Sequence, residues 1–129
     1  MLAVDTNVIV RYLTRDDARQ FARANALFAG EDVYVCTTVL LETEWVLRSL
    51  YRYGRPRVIA AFRALAGLPR ITLEDPALTD QALAWAEHGM DLADALHLAR
   101  TGHCEAFVSF DRDLARAANR IGSVSVRMP

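Results

Sequence analysis

The chain has 129 residues, of which 53% are hydrophobic and 24% charged, and its formal net charge is −1. This size and apolar content predict one packed domain over residues 1–129, and the near-neutral charge excludes a basic nucleic-acid coat and an acidic disordered tail. All fifteen basic residues are arginine, which excludes chemistry that needs a lysine, such as a Schiff base or a P-loop.

Short apolar runs alternate with longer helical patterns along the chain. The runs predict buried strands at Leu2 to Val4, Val33 to Cys36, Arg70 to Leu73, Ala106 to Phe110 and Ser123 to Val126. Capping residues and glycines predict five helices. The first follows Asp16 and ends near Gly30, and the second follows Thr37 or Thr38 and covers Val39 to Tyr53. The others cover Arg55 to Gly67 and Ala77 to Gly89, and run from Asp91 towards Gly102. Because parallel strands need crossovers of this length, we expect an α/β fold, a three-layer α/β/α sandwich with a mainly parallel central sheet.

Asp5 directly follows the first predicted strand and opens the segment Asp5 to Val10. One explanation of this position is a helix cap, a role that aspartate commonly fills. Ligands of open α/β sheets, however, bind beyond the carboxyl ends of the strands. The position therefore also predicts a functional carboxylate.

Glu42 lies in the predicted helix Val39 to Tyr53, on a face that the helical period makes apolar. That face also carries Val39, Trp45, Val46 and Leu50. A carboxylate facing a core is costly unless it is paired or bound to a metal ion, so we expect Glu42 to be functional. Glu44 points elsewhere and has Arg48 four residues on as a surface partner, which predicts a solvated side chain.

Asp91 and Asp94 begin the next predicted helix. Asp91 is its natural cap, and Asp94 follows one turn later on the same side. A capping-box role for Asp94 is the structural alternative, although Glu or Gln is usual there. His97 receives no ligand role, because a lone histidine on a helix is more often a packing or surface residue.

Asp111 repeats the arrangement of Asp5 after the strand Ala106 to Phe110, and Asp113 follows two residues later. A helix cap is again the alternative explanation. We expect Asp5, Glu42, Asp94 and Asp111 to converge on one cleft, where their mutual repulsion needs protons or cations to offset it. Hard oxygen ligands favour Mg²⁺ or Mn²⁺ over zinc, and such ions activate water for phosphodiester hydrolysis.

The two cysteines, Cys36 and Cys104, are far apart and form no CxxC pair. We therefore expect neither a zinc site nor a disulfide framework. We expect a reduced intracellular setting. No stretch approaches the roughly 20 apolar residues of a membrane span. The sequence predicts a cytoplasmic protein without a membrane partner.

Four stretches together resemble the PIN-domain family, in particular the VapC toxins of bacterial toxin–antitoxin systems. They are Val4 to Leu13, Val39 to Arg48, Asp91 to His97 and Ser109 to Leu114. The resemblance covers essentially the whole chain, and the order and spacing of the four stretches make it specific. Two departures are Ser109, where the family usually has threonine, and Leu114, where it usually has phenylalanine.

The resemblance implies an endoribonuclease dependent on Mg²⁺ or Mn²⁺, with the metal-binding acids at Asp5, Glu42, Asp94 and Asp111. It implies supporting roles for Asp91, Asp113, Asn7 and Thr6. It also implies a homodimer and a small VapB-like antitoxin whose extended tail blocks the acidic cleft. The same four acids are those that the residue patterns single out.

Arginines must supply the contacts to RNA phosphates, since an acidic cleft cannot attract RNA unaided. One cluster near the first acid comprises Arg11, Arg15 and Arg19. A second comprises Arg48, Arg52, Arg55 and Arg57 around Tyr51 and Tyr53, whose rings could stack unpaired bases. Solvated helix faces are the alternative explanation for both clusters.

Two other functions compete with the nuclease. A non-catalytic PIN-like interaction module would keep the fold without cutting RNA, which the presence of all four acids disfavours. A phosphoryl-transfer domain on a similar sheet, either a response-regulator receiver or a haloacid-dehalogenase-like phosphatase, is disfavoured. Receivers need a lysine, which this chain lacks, and the phosphatases need an aspartate two residues after the nucleophile, where Asn7 stands.

Overall fold

The computed structural model describes residues 1–122 and 124–129, and their contacts divide the chain into two compact units, Met1–Pro76 and Ala77–Pro129. Parallel strands joined through helices occur in each unit. The predicted α/β class with parallel strand pairing is confirmed. That one domain includes both units stays a prediction.

The first unit is built on a three-stranded parallel sheet in the order β1-β2-β3. Alternation along β2 and β3 buries Val33, Val35, Ile71 and Leu73, as expected for strands with a core face. Helices make both crossovers, as parallel strands require. The elements are β1 Leu2–Ala3, α1 Thr6–Thr14, α2 Ala18–Gly30, β2 Val33–Val35, α3 Thr37–Ser49, α4 Arg55–Ala66 and β3 Ile71–Leu73.

The prediction that β1 is buried is wrong. Both of its residues are exposed, and Leu2 keeps 47% of its surface. The strand is only two residues long and pairs with β2 alone in this sheet, so apolar composition did not by itself imply burial. Val4, the third residue of the predicted strand, is buried.

Local side-chain bonds set helix boundaries that differ slightly from the prediction. The cap of α2 is Asp17, which accepts a hydrogen bond from the Gln20 amide at 2.9 Å, rather than Asp16. Helix α3 begins at Thr37 and ends at Ser49, short of the predicted end at Tyr53. The chain then turns through Arg52, whose φ of 57° is left-handed and cannot continue the helix.

Helix α1 packs against α2 and α3. The ring of Tyr12 lies between two rings of α2, with centroids 5.9 Å from Phe21 and 4.8 Å from Phe28. Such aromatic contacts add to the apolar area that the helices bury. The packing fixes the helix that begins directly after Asp5.

The second unit pairs two short parallel strands, with Phe107 opposite Val126. The predicted buried strand Ala106 to Phe110 is reduced to β4, and its region is largely exposed, 51% at Val108 and 84% at Phe110. Ser123, the first residue of the last predicted strand, lies outside the described residues. The elements are α5 Pro76–Glu87, which begins at the last residue of the first unit, α6 Leu92–Arg100, β4 Phe107–Val108, α7 Arg112–Ile121 and β5 Val126–Arg127.

The helices of the second unit supply its buried side chains, among them Leu83, Leu96, Leu98 and Leu114. Gly122, with φ of 80°, ends α7 in the left-handed conformation that glycine adopts without steric cost. Across residues 1–122 and 124–129, no helix is both long and apolar enough to cross a bilayer.

Candidate functional site

The first predicted acid stands at the start of α1. Asp5 caps this helix, its Oδ1 accepting a hydrogen bond from the Thr6 amide at 2.8 Å. The residue is exposed, whereas Thr6 beside it is buried. A carboxylate offers about four lone-pair sites. Capping therefore leaves Asp5 the capacity to bind a cation as well.

A side-chain hydrogen bond ties the second acid to the same helix start. The Thr6 hydroxyl donates to Glu42 Oε1 of α3, 36 residues further along the chain. Thr6 is only 4% exposed, and a buried hydroxyl needs such a partner. The structure therefore links Asp5, Thr6 and Glu42 at one place in the first unit.

The prediction that Glu42 lies on the buried face of α3 is wrong. Glu42 is exposed, on the side of the helix where Trp45 keeps 56% of its surface, whereas Glu44 keeps 5%. The predicted pair of Glu44 with Arg48 is present, but it neutralises a buried carboxylate rather than a solvated one. The large apolar residues of this helix misled the assignment because two of them point outward. The residues that α3 buries are Thr37, Leu40, Thr43, Glu44 and Leu47.

In the second unit, Asp91 and Asp94 form the start of α6. Asp91 is the cap, as predicted, and accepts a hydrogen bond from the Asp94 amide at 3.3 Å. Both residues are half-buried. His97, one turn on, is exposed, and its ring stacks with Phe107 at a centroid distance of 6.4 Å. The histidine thus has a packing role.

Asp111 caps α7, with its Oδ1 accepting from the amides of Asp113 at 2.9 Å and Leu114 at 3.2 Å. The Ser109 hydroxyl accepts a hydrogen bond from the Asp111 amide at 3.0 Å, so serine supplies a hydroxyl where the family usually has threonine. Asp113 is exposed and pairs with Arg116. Both strand-end aspartates, Asp5 and Asp111, are therefore helix caps.

A groove of about 430 Å³ opens between α1 and α2, with Asn7 of the first turn of α1 in its wall. Residue patterns gave no signal for it, because its walls come from two helices whose relative rotation is set by packing. Arg23 extends into solvent there without an ion pair or hydrogen bond to another described residue. The lining comprises Asn7, Arg11, Gln20 and Arg23 among polar residues, and Val8, Ala24 and Leu27 among apolar ones.

Arg11 is held inside a polar cluster rather than presented to solvent. Its guanidinium contacts Asp16 at 3.0 Å, Tyr51 Oη at 2.9 Å and Gln20 Oε1 at 2.6 Å. A hydrogen bond from Tyr51, with support from Thr14 and Arg11, holds the pKa of the Asp16 carboxyl below its ordinary value. Partial desolvation lowers the pKa of Arg11, but the charge of Asp16 and the hydrogen bond with Tyr51 outweigh this effect. The pKa of Arg11 is therefore raised above its ordinary value. The cluster joins the end of α1 to the segment after α3.

Other arginines of the two predicted RNA-binding clusters also have intramolecular partners. The guanidinium of Arg15 lies 4.5 Å from the ring centroid of Phe21, and that of Arg57 lies 3.7 Å from that of Tyr53. Arg48 is paired with Glu44. These contacts stabilise the fold and reduce what the clusters can offer to a phosphate or a base.

The four predicted metal ligands divide evenly between the units, Asp5 and Glu42 in the first and Asp94 and Asp111 in the second. Among residues 1–122 and 124–129, no three His, Cys, Asp or Glu side chains form a group that could hold a metal ion. Thr6 and Asn7 lie at the first acid, and Asp91 and Asp113 at the third and fourth.

Comparisons with known proteins found similarity over most of the chain. A crystal structure of the Mycobacterium tuberculosis toxin VapC20, described as cleaving the sarcin-ricin loop, aligns at 25% identity and a TM-score of 0.43, covering 91% of this chain and 95% of the toxin. Curated protein sequences contain no match. The family model of the PIN domain matches residues 2–120. This chain therefore belongs to the PIN-domain family.

Proposed function

We propose that this protein is an endoribonuclease dependent on Mg²⁺ or Mn²⁺, which hydrolyses phosphodiester bonds of single-stranded or looped RNA. The observation that carries the proposal is the Asp5–Thr6–Glu42 linkage within a PIN-domain chain. A buried threonine holds one acid beside another that is distant in sequence. Such an arrangement is what a shared cation needs from the protein.

The donor set fits a hard cation. Asp5, Glu42, Asp94 and Asp111 offer only carboxylate oxygens, which Mg²⁺ and Mn²⁺ prefer to softer ligands. Mg²⁺ typically binds one or two carboxylates and keeps water as its remaining ligands. When bound, the cation supplies an activated water and neutralises charge that develops on the phosphate oxygens.

The chain's own residues would restrict and support these carboxylates. Thr6 limits the rotamers of Glu42, and the caps of α6 and α7 orient the chain at Asp94 and Asp111. Asn7 lies at the groove beside Asp5, where Arg23 offers a planar guanidinium suited to phosphate oxygens. We assign Asn7 to orienting the acids and Arg23 to holding the RNA backbone.

We further propose that the protein is the cytoplasmic toxin of a VapBC pair, and that it forms a homodimer. The four motif stretches that resemble VapC toxins support the pairing. Trp45 of α3 and Leu50 directly after it, 56% and 67% exposed, supply apolar surface for a partner. A small antitoxin that inserts a basic residue among the acids would be electrostatically favoured. Co-expression with the product of a short overlapping upstream reading frame tests this, since a stable complex is expected.

An RNA cleavage assay tests the nuclease. Purified wild type, free of antitoxin, is compared with Asp94→Asn in Mg²⁺, Mn²⁺ or EDTA. We expect cation-dependent cleavage that the substitution abolishes while the fold survives, because asparagine is nearly isosteric with aspartate but carries no negative charge to bind the cation. Asp32→Asn is the matched control, since Asp32 makes an exposed ion pair with Arg70 at 3.1 Å, which contributes little to stability.

Equal cleavage by wild type and Asp94→Asn would show contamination or a mistaken site. A wild type that neither cleaves RNA nor gains thermal stability with Mn²⁺ would be a non-catalytic interaction module, since binding to the native state alone must raise its stability. Loss of cleavage in Asp32→Asn as well would mean that the assay reports general damage rather than loss of the site.

A further inference from the structure

Resting on the proposed function, we propose that Phe110 is a stacking residue for an unpaired base of the RNA, next to the scissile phosphate. The observation is an aromatic ring held in solvent immediately before Asp111. Phe110 keeps 84% of its surface, the largest exposure of any large hydrophobic residue that the structure describes. Burial of a ring is strongly favourable, so a ring this exposed adds little to folding and is available to a ligand.

The usual structural reason for an apolar residue at this position does not apply. Phe110 directly precedes the cap of α7, where an apolar side chain often packs on the fourth residue of the helix as a hydrophobic staple. That residue is Ala115, which offers one methyl group, and the ring remains 84% exposed. Phe110 therefore contributes little to the stability of α7.

The backbone on both sides of Phe110 is fixed. Ser109 donates its amide to the carbonyl of Arg127 at 3.1 Å and accepts the Asp111 amide on its hydroxyl. Asp111 in turn caps α7 through two amides. The ring is thus presented from an ordered position, and little conformational entropy is lost when a ligand stacks on it.

The neighbours of Phe110 favour a nucleotide over an apolar protein surface. Asp111 follows directly and is one of the proposed metal ligands, and Arg112 comes next, exposed and without a partner among the described residues. Consecutive Cα atoms are only about 3.8 Å apart, so both side chains are attached close enough to reach a phosphate bound at Asp111. An aromatic face with a free guanidinium and an anchored phosphate matches how unpaired RNA is gripped.

Residue patterns pointed to Tyr51 and Tyr53 for stacking, but those rings are engaged within the first unit. Arg57 covers one face of Tyr53 at 3.7 Å, and the Tyr51 hydroxyl bonds Asp16 and Arg11. Phe110 has its ring in solvent and no hydroxyl to commit elsewhere. The structure therefore moves the expected stacking position to the second unit.

The test combines cleavage kinetics with RNA binding. The variants are Phe110→Ala, Phe110→Trp and Phe110→Leu, with Leu78→Ala as the control, an exposed apolar residue of α5. Cleavage is measured in the active protein, and binding by fluorescence anisotropy in the Asp94→Asn background. The probe is a short mixed-sequence single-stranded RNA, with a series in which one base at a time is abasic.

We expect Phe110→Ala to raise KM and the RNA Kd roughly 5- to 150-fold, the range of single-base stacking, with a smaller change in kcat. Phe110→Trp should restore binding, and Phe110→Leu should not, because leucine is apolar but has no π face. One abasic position should weaken binding to wild type and leave binding to Phe110→Ala unchanged. Leu78→Ala should behave as wild type.

Wild-type Kd and KM in Phe110→Ala, or full rescue by leucine, would overturn the proposal. So would a change of oligomeric state in Phe110→Ala on size exclusion, which would assign the ring to an interface between copies of the chain. Failure of wild type to cleave any RNA would contradict the nuclease itself, and the anisotropy series would then still decide whether Phe110 stacks on a base.

Discussion

Glu42 of the first unit is held in a different way from the capping acids of the second. In the first unit, Glu42 reaches the start of α1 through a tertiary bond to Thr6, across 36 residues of sequence. In the second, Asp91 and Asp111 accept hydrogen bonds from amides no more than three residues away. A long-range contact positions Glu42, whereas Asp5, Asp91 and Asp111 are all local helix caps.

This difference separates what a substitution can disturb. A cap needs an oxygen acceptor, which asparagine supplies as well as aspartate, whereas a cation needs negative charge. In the second unit the two requirements can therefore be tested apart at a single residue. In the first unit, position and charge reside in different residues, Thr6 and Glu42.

The largest expected effect separates capping from charge at Asp111. Asp111→Asn should lower the rate of RNA cleavage at least about a hundredfold, because a metal ligand that stabilises transition-state charge is worth several kcal/mol, while the thermal stability stays near wild type. Asp111→Ala should lose the cleavage and also about 1 kcal/mol of unfolding free energy, the value of a cap. Cleavage rates and denaturant unfolding measure the two effects.

Asp113→Asn is the neighbouring control, since Asp113 is exposed and pairs with Arg116. It should change the cleavage rate far less than Asp111→Asn. A loss of stability in Asp111→Asn comparable to that in Asp111→Ala would contradict the separation, because it would show that charge and not the capping bond supports α7.

The second effect concerns the buried carboxylate of α3. Arg48→Met should lower the unfolding free energy by about 2 kcal/mol, because it leaves Glu44 buried without its cation. This is below the full value for a buried pair, since Arg48 is 31% exposed and water can replace part of the interaction. Glu42→Gln, on the exposed side, should leave stability nearly unchanged and reduce cleavage. Urea unfolding of both variants distinguishes the two glutamates. Equal destabilisation would contradict the burial of Glu44 and exposure of Glu42, and would support the sequence prediction that Glu42 faces the core.

A smaller effect is expected where the tertiary bond of the first unit is broken. Thr6→Val preserves the shape of the buried side chain but removes the donor to Glu42, which should cost about 1 kcal/mol of unfolding free energy. The concentration of Mn²⁺ needed for thermal stabilisation should rise, because Glu42 regains rotamer freedom. Thr6→Ser should restore both properties, and a Thr6→Val protein with wild-type Mn²⁺ response would contradict the positioning role.

The smallest effect is a pH dependence at the cluster that joins the end of α1 to the segment after α3. The folded pKa of Asp16 lies below its ordinary value of 3.8, so its contribution to stability is present above that pH and is lost as the pH falls through the folded pKa. Tyr51→Phe removes the principal hydrogen bond and should raise the pKa of Asp16. An NMR titration of the Asp16 carboxyl checks this, and an unchanged midpoint would contradict the assigned cause.

Sequence patterns predicted locally determined features well. The caps Asp91 and Asp111 follow from signals that act over a few residues, and the parallel strand pairing follows from the length of the connections between the strands. The family resemblance carried by the four motif stretches was likewise confirmed by the match over residues 2–120. The joint metal site of the four acids stays a prediction.

Features set by tertiary packing were predicted less well. Glu42 and Glu44 are two positions apart on one helix, and periodicity alone assigned the wrong glutamate to the core. The face that carries Trp45 and Leu50 is apolar but exposed, whereas the buried face includes two threonines and Glu44. The exposure of Phe110 has the same origin, since an aromatic residue in a strand-like run is expected inside. Neither could be corrected without knowing which surfaces meet.

Helix α1 is tied to its surroundings at two places, by Thr6 to Glu42 and by Arg11 to Tyr51 and Asp16. Unwinding it from either end breaks one of these ties, and releasing it completely breaks both. In native-state hydrogen exchange, the amides of α1 and α3 should therefore open together as one cooperative segment. The helix that carries Asp5 would then exchange as slowly as the most protected part of the first unit.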